Sequence, residues 1–151
     1  MKTIRIWIVT LSLVSIFSAC SPTETEQMIN EPAGSARYFI DNQSDKELIV
    51  EFPVPVYNFE KDAMQDVDSL IRLNSRTKSV VFEDGGFGIN PDPEKSFKEI
   101  RFYTITNGQR SLAFTMKPIK NAAWAKLIRS RDNSGYGLTE YSFTITEANL
   151  K

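Results

Sequence analysis

The chain predicts an all-β fold of seven or eight mostly antiparallel strands, and three observations carry that prediction. Leu138 to Thr146 alternates: Tyr141, Phe143 and Ile145 face one way and Ser142, Thr144 and Thr146 the other, the period of a half-buried strand. Asn107-Gly108 separates two apolar runs, and Asn-Gly is favoured in tight hairpin turns because both residues tolerate positive φ. Between the other runs of six to nine residues, clusters of Asn, Asp, Ser, Gly and Pro supply turns.

The first element is not part of that fold. Lys2 and Arg5 precede an apolar run from Ile6 to Phe17, too short to span a bilayer, which needs about 20 apolar residues. It ends in Phe17-Ser18-Ala19-Cys20, with small residues before the single cysteine of the chain. This stretch resembles the lipobox of bacterial lipoproteins, with Phe17 where the family has Leu, Val or Ile. The resemblance implies cleavage before Cys20, lipidation of its sulfur, and an anchored protein of the cell envelope, on the outer membrane with its domain facing the periplasm or the surface. An ordinary secretory signal, cut near Ala19, would instead leave an unpaired, oxidisable thiol. Each buried methylene of a lipid contributes about 0.8 kcal/mol, so several acyl chains hold a protein to a membrane almost permanently.

Beyond residue 19 the chain has 132 residues, 16 basic and 19 acidic, a net charge of −3. That is the size of one domain. No basic field for nucleic acid is present. Histidine is absent, which removes Ser-His-Asp and Cys-His catalysis, and with Cys20 lipidated it leaves zinc, haem and iron–sulfur sites without their usual ligands. No cofactor is expected.

Residues 20–36, with Pro22, Glu24, Glu26, Glu31, Pro32 and Gly34, read as a flexible tether that holds the domain off the membrane. Residues 37–151 form the domain. Arg37 to Asp41 and Lys46 to Phe52 read as a hairpin about Asn42-Gln43-Ser44-Asp45. In the second run Leu48, Val50 and Phe52 share one face and Glu47 and Glu51 the other. Pro53 and Pro55 place the following residues at an edge or in an extended connection. Residues 59–66 read as a loop or one short helix, since Ala63, Met64, Val67, Leu70 and Ile71 also fit a helical stripe. Asp68 to Leu73 and Lys78 to Glu83 read as a second hairpin. Phe97 to Ile105 and Arg110 to Met116 make a third, with Leu112, Phe114 and Met116 on one face. Trp124 to Ser130 and Leu138 to Thr146 flank the last turn. The assembly is an antiparallel β-sandwich of immunoglobulin-like form or a small barrel.

Asp84, Asp92 and Glu94, with Asn90, are oxygen donors beside a glycine-rich loop, but they lack the spacing of a calcium-binding loop. Gly85-Gly86-Phe87-Gly88 lacks the spacing and lysine of a phosphate cradle. Ser75-Arg76-Thr77-Lys78 fits a serine-lysine motif whose companion elements are missing. Catalytic residues and metal ligands are therefore not expected. The aromatic residues Phe87, Tyr103, Trp124 and Tyr136 lie in loops or opposite the core face and offer stacking surfaces for a protein or a glycan. The competing expectation is that they complete the core. The function these features predict is a membrane-anchored, non-catalytic binding or structural module. The alternative is an envelope hydrolase working with a pair of carboxylates.

Overall fold

A computed structural model describes residues 32–150; Cys20 and the leader before it lie outside them. The strands are β1 (Ala33–Asn42), β2 (Leu48–Asn58), β3 (Ala63–Leu73), β4 (Thr77–Phe87), β5 (Ile100–Thr106), β6 (Gln109–Met116), β7 (Ala125–Ile128) and β8 (Leu138–Ile145). A single α-helical turn, α1 (Pro93–Ser96), stands between β4 and β5. The strands form a β-sandwich of two four-stranded sheets, ordered β4-β1-β8-β7 and β3-β2-β5-β6. Every pairing is antiparallel except that of β1 with β8, which is parallel.

Two of the expected hairpins form. β5 and β6 pair through Thr106↔Gln109, with Asn107 at φ 51 and Gly108 at φ 76, the two positive angles that this turn demands. β7 and β8 pair as read.

The other two expected hairpins do not form. β1 pairs with β4 and β8, and β2 pairs with β3 and β5, so each short turn, 43–47 and 74–76, crosses from one sheet to the other. The reason lies in Asn42, which is fully buried. Its Nδ2 donates to the Lys46 carbonyl at 2.8 Å and to the Asn74 carbonyl at 2.9 Å, while its Oδ1 accepts from the Ser44 hydroxyl at 2.7 Å. One amide therefore pins both crossing turns at the same end of the sandwich. A turn signal in sequence says that the chain reverses, not which sheet it enters.

Residues 59–66 are neither loop nor helix throughout: residues 59–62 turn, and Ala63 opens β3. β2 and β3 make one long hairpin from Leu48↔Leu73 to Asn58↔Ala63, whereas β5 accompanies β2 only over Leu48–Glu51. Pro53 and Pro55 occupy the part with a partner on one side only, where a strand tolerates a missing donor. Met64 and Leu70 then face outward and Val67 and Ile71 inward. Apolar residues on both faces of a projecting ribbon conceal its period of two.

β1 begins four residues earlier than the sequence indicates. The small residues Ala33 to Ala36 pair with Phe87 to Asp84, and a Cβ on Gly34 would lie 2.2 Å from the Ile89 carbonyl oxygen. Small size there serves close packing, not a tether. In β6 a bulge opposite Phe102/Tyr103 turns Leu112 outward to stand beside Tyr103, against its expected place on the core face.

The core between the sheets centres on Tyr38, Ile40, Leu48, Val50, Phe52, Ile100, Phe102 and Ile145, all fully buried. Each such side chain stabilises by about 1.5–3 kcal/mol relative to exposure. Tyr38 packs against Phe82, Phe97, Trp124 and Tyr141, with ring centroids 4.9–6.1 Å away.

Candidate functional site at the loop end

Strand directions sort the connections into two groups. The turns pinned by Asn42 mark one end. At the other, here called the loop end, the chain enters at Pro32, β4 finishes at Phe87, the β2–β3 hairpin tips at 59–62, and the 129–137 segment leads into β8. Phe82 meets Val54 and Val67 across an open apolar groove, and Lys98 pairs with Asp66 at 2.5 Å, so hairpin and loop run level with one another.

The two loops singled out by sequence touch. Tyr136 donates its hydroxyl to the Gly88 carbonyl at 3.2 Å, and Asn90 Nδ2 donates to the Gly135 carbonyl at 3.2 Å. Tyr136 is half-buried, whereas Phe87 is 71% exposed. Phe87→Ala is therefore expected to change unfolding free energy by no more than about 0.5 kcal/mol, as surface substitutions do. Thermal denaturation checks it; a loss of several kcal/mol would place the ring in the core.

Trp124 and Tyr103 are not brought to this surface. Trp124 is only 5% exposed and stacks on Phe97 at 6.0 Å, so it belongs to the core and not to a binding face. Its Nε1 is buried without a hydrogen-bond partner among the described residues. Tyr103 lies on the outer face of the second sheet, with the Arg110 guanidinium 3.9 Å above its ring. There Glu51, buried despite its charge, takes Arg110 at 2.5 Å, Arg101 at 3.2 Å and the Tyr103 hydroxyl at 3.2 Å. Burial of a carboxylate is tolerated because each oxygen has a cationic partner.

At the loop end, on the β7 edge, a cavity of about 270 Å³ is lined by Asn90, Asp92, Lys95, Asn121, Lys126 and Tyr141. α1 builds one wall. Asp92 caps it by accepting from the Lys95 amide at 3.1 Å, and Pro93 supplies the preset φ of the first helical position. The Asp92 carboxylate also pairs with Lys95 Nζ at 2.9 Å. Burial works to raise Asp92, but hydrogen bonds from Lys95 and Asn121 outweigh it and hold the carboxyl below its ordinary range. Glu94 and Asn121 exchange two hydrogen bonds, 3.1 and 2.8 Å, which fix the segment after β6 against α1. On the floor, burial pushes the Tyr141 phenol up, and Asp92 adds to the shift. Lys126 Nζ stands 5.8 Å above the Tyr141 ring.

The acids considered for calcium have separate tasks. Asp84 accepts from Ser96 at 2.6 Å, Asp92 caps α1, and Glu94 holds Asn121; among the described residues no three acids converge on one point. Sequence reasoning weighed Asn90 and Asp92 only as calcium donors, which their spacing did not support, and singled out neither Lys95, Asn121, Lys126 nor Tyr141 as lining a recess. Tyr141 was legible only as a core-facing strand residue, since alternation does not say that a strand lies beside an open edge.

No family model matches the chain, and no curated protein is found to be similar to it.

Proposed function

We propose that the chain is a lipid-anchored protein of the bacterial envelope whose sandwich is a non-catalytic module binding a glycan or a protein segment in the pocket at the β7 edge. The anchor rests on the lipobox-like Phe17-Ser18-Ala19-Cys20 behind the apolar run. The binding role rests on one observation: five polar side chains of both charge signs converge around the Tyr141 phenol in a recess of about 270 Å³, room for one sugar ring or one side chain. Amide, ammonium and carboxylate groups side by side suit a ligand that carries both donors and acceptors.

Binding is favoured over hydrolysis by the state of the acid. Hydrolysis by two carboxylates needs one of them raised so that it can donate a proton. Asp92, the one carboxylate lining this pocket, is held in the opposite direction by Lys95 and Asn121.

Titration of the purified protein with soluble cell-wall glycan fragments tests the pocket. Wild type is expected to bind without cleaving them, and Lys126→Ala with Asn90→Ala to lose at least tenfold in affinity while keeping the melting temperature. Equal binding by wild type and the double variant would refute the pocket, and product formation would refute its non-catalytic role. The anchor is read separately: wild type takes up an alkyne fatty acid and Cys20→Ala does not.

A further inference from the structure

Of the twelve large apolar side chains exposed among the described residues, seven gather at the loop end. On the β2–β3 hairpin, beyond the stretch that β5 accompanies, Val56, Tyr57, Phe59, Met64 and Val67 are all exposed, Phe59 at 88%. Tyr57 and Phe59 pack edge to face with centroids 5.0 Å apart, so the rings form a patch of fixed shape. Phe87 and Ile89 project from the end of β4 at the same end of the sandwich. A monomeric surface rarely gathers so many large apolar groups in one region without something to cover them.

We infer that this rim rests on the lipid surface to which the chain is anchored. The inference rests on the lipoprotein reading, and what connects the two is where the chain enters. The Pro32 carbonyl accepts from the Gly88 amide at 2.9 Å, so the segment that leads back to Cys20 departs beside Phe87, within the rim itself. The 12 residues from Cys20 to Glu31 span at most about 40 Å even when fully extended. An 11-residue strand such as β2 or β4 is itself about 36 Å long. Turning the Asn42 end to the bilayer would stretch that segment to nearly its full reach, whereas the loop end meets the surface with the segment slack, so the anchor favours the loop end.

The chemistry of the rim suits an interface and not the hydrocarbon centre. Tyr57 and Phe59 are the kind of rings that settle at headgroup level, and Glu60, Lys61 and Asp62 at the hairpin tip hold the contact there. Those three charges sum to −1, so apolar insertion and not attraction to anionic lipid carries the contact. The polar pocket opens at the β7 edge, whereas the rim belongs to the β3 and β4 edges.

The test uses the chain from Cys20 onward, which retains every strand of the sandwich, coupled through its single thiol to a maleimide lipid in neutral phosphatidylcholine vesicles. Tryptophan is introduced at one position per sample, Phe59→Trp, Phe87→Trp or, at the opposite end, Lys46→Trp, and shallowly brominated lipid serves as quencher. The added fluorescence at positions 59 and 87 is expected to fall by at least half, and that at position 46 to stay unchanged, with no dependence on salt. Equal response at all three positions, quenched or not, overturns the inference. So does a stable dimer of the unanchored chain that Phe59→Ser converts to monomer, since a second copy would then be what covers the rim. Because the anchor here is chemical, failure of fatty-acid labelling in cells refutes the lipoprotein reading alone, and failure of quenching refutes the docking alone.

Discussion

Tyr38→Ala is expected to lower the unfolding free energy by about 3 to 5 kcal/mol, the range for removing a large buried ring. Tyr38 is fully buried and touches four other aromatic rings, Phe82 and Tyr141 on the neighbouring strands β4 and β8 and Phe97 and Trp124 in the segments before β5 and β7, so no single neighbour can close the cavity. Its hydroxyl is 2.6 Å from Ser96 Oγ, which donates to Asp84 at 2.6 Å, and this chain ties α1 to β4. Tyr38→Phe keeps the ring and is expected to cost only about 1 kcal/mol, the net worth of one hydrogen bond. The same residue sets an alkaline limit. Burial raises the Tyr38 phenol well above its ordinary value of 10.0, and burial raises Tyr141 likewise. A raised pKa in the folded state means that the contribution is complete below pH 10 and is lost as pH rises beyond it, because the unfolded chain then releases protons that the folded one retains. Urea denaturation should show stability falling between pH 10 and 12, with a shallower fall in Tyr38→Phe. A flat profile, or a loss below 1 kcal/mol for Tyr38→Ala, would mean that the ring is not enclosed.

Asn42→Asp is expected to cost about 3 to 5 kcal/mol although it barely changes shape, since each buried group left unsatisfied costs about 1–3 kcal/mol. The amide donates to two backbone carbonyls, of Lys46 and Asn74, and a carboxylate in its place donates to neither while facing both oxygens. It also accepts from the Ser44 amide at 3.1 Å and the Ser44 hydroxyl, and Ser44 is itself fully buried. Asp45→Asn, on the exposed surface of the same turn, is the control and should stay within about 0.5 kcal/mol. Equilibrium unfolding of the three proteins decides it. An Asn42→Asp protein as stable as wild type would show that the crossing turns do not depend on that amide.

What was legible before the fold was known follows from interactions between near neighbours in the chain. The β5–β6 hairpin was readable because Asn107-Gly108 supplies its own positive φ values, whatever surrounds it. The inward faces of β8 and of early β2 were readable because Tyr141, Phe143 and Ile145 alternate with Ser142 and Thr144, and because Glu47 and Glu51 mark the face opposite Leu48, Val50 and Phe52. The position of α1 was hidden inside the punctuated loop, since a one-turn helix depends on a cap, Asp92, and not on a stripe.

Strand partners, by contrast, were decided in three dimensions. Residues 43–47 and 74–76 carry ordinary turn composition, and the buried Asn42 amide, reaching 32 residues along the chain to Asn74, holds both turns where the chain crosses the sandwich, together with the Arg76 amide on the Ser44 carbonyl. The outward position of Leu112 depends on a bulge against Phe102 and Tyr103, and the burial of Trp124 on rings from β1, β8 and the segment before β5. The candidate pocket and the apolar rim arise in the same way: alternation along a strand records which side chains share a face, but which faces are covered depends on where neighbouring strands stop. β5 leaves β2 after Glu51 and β7 ends its sheet, so a stretch that the sequence read as an extended connection and a loop or short helix became an exposed apolar ribbon, and a stretch it read as strand became the wall of a polar recess.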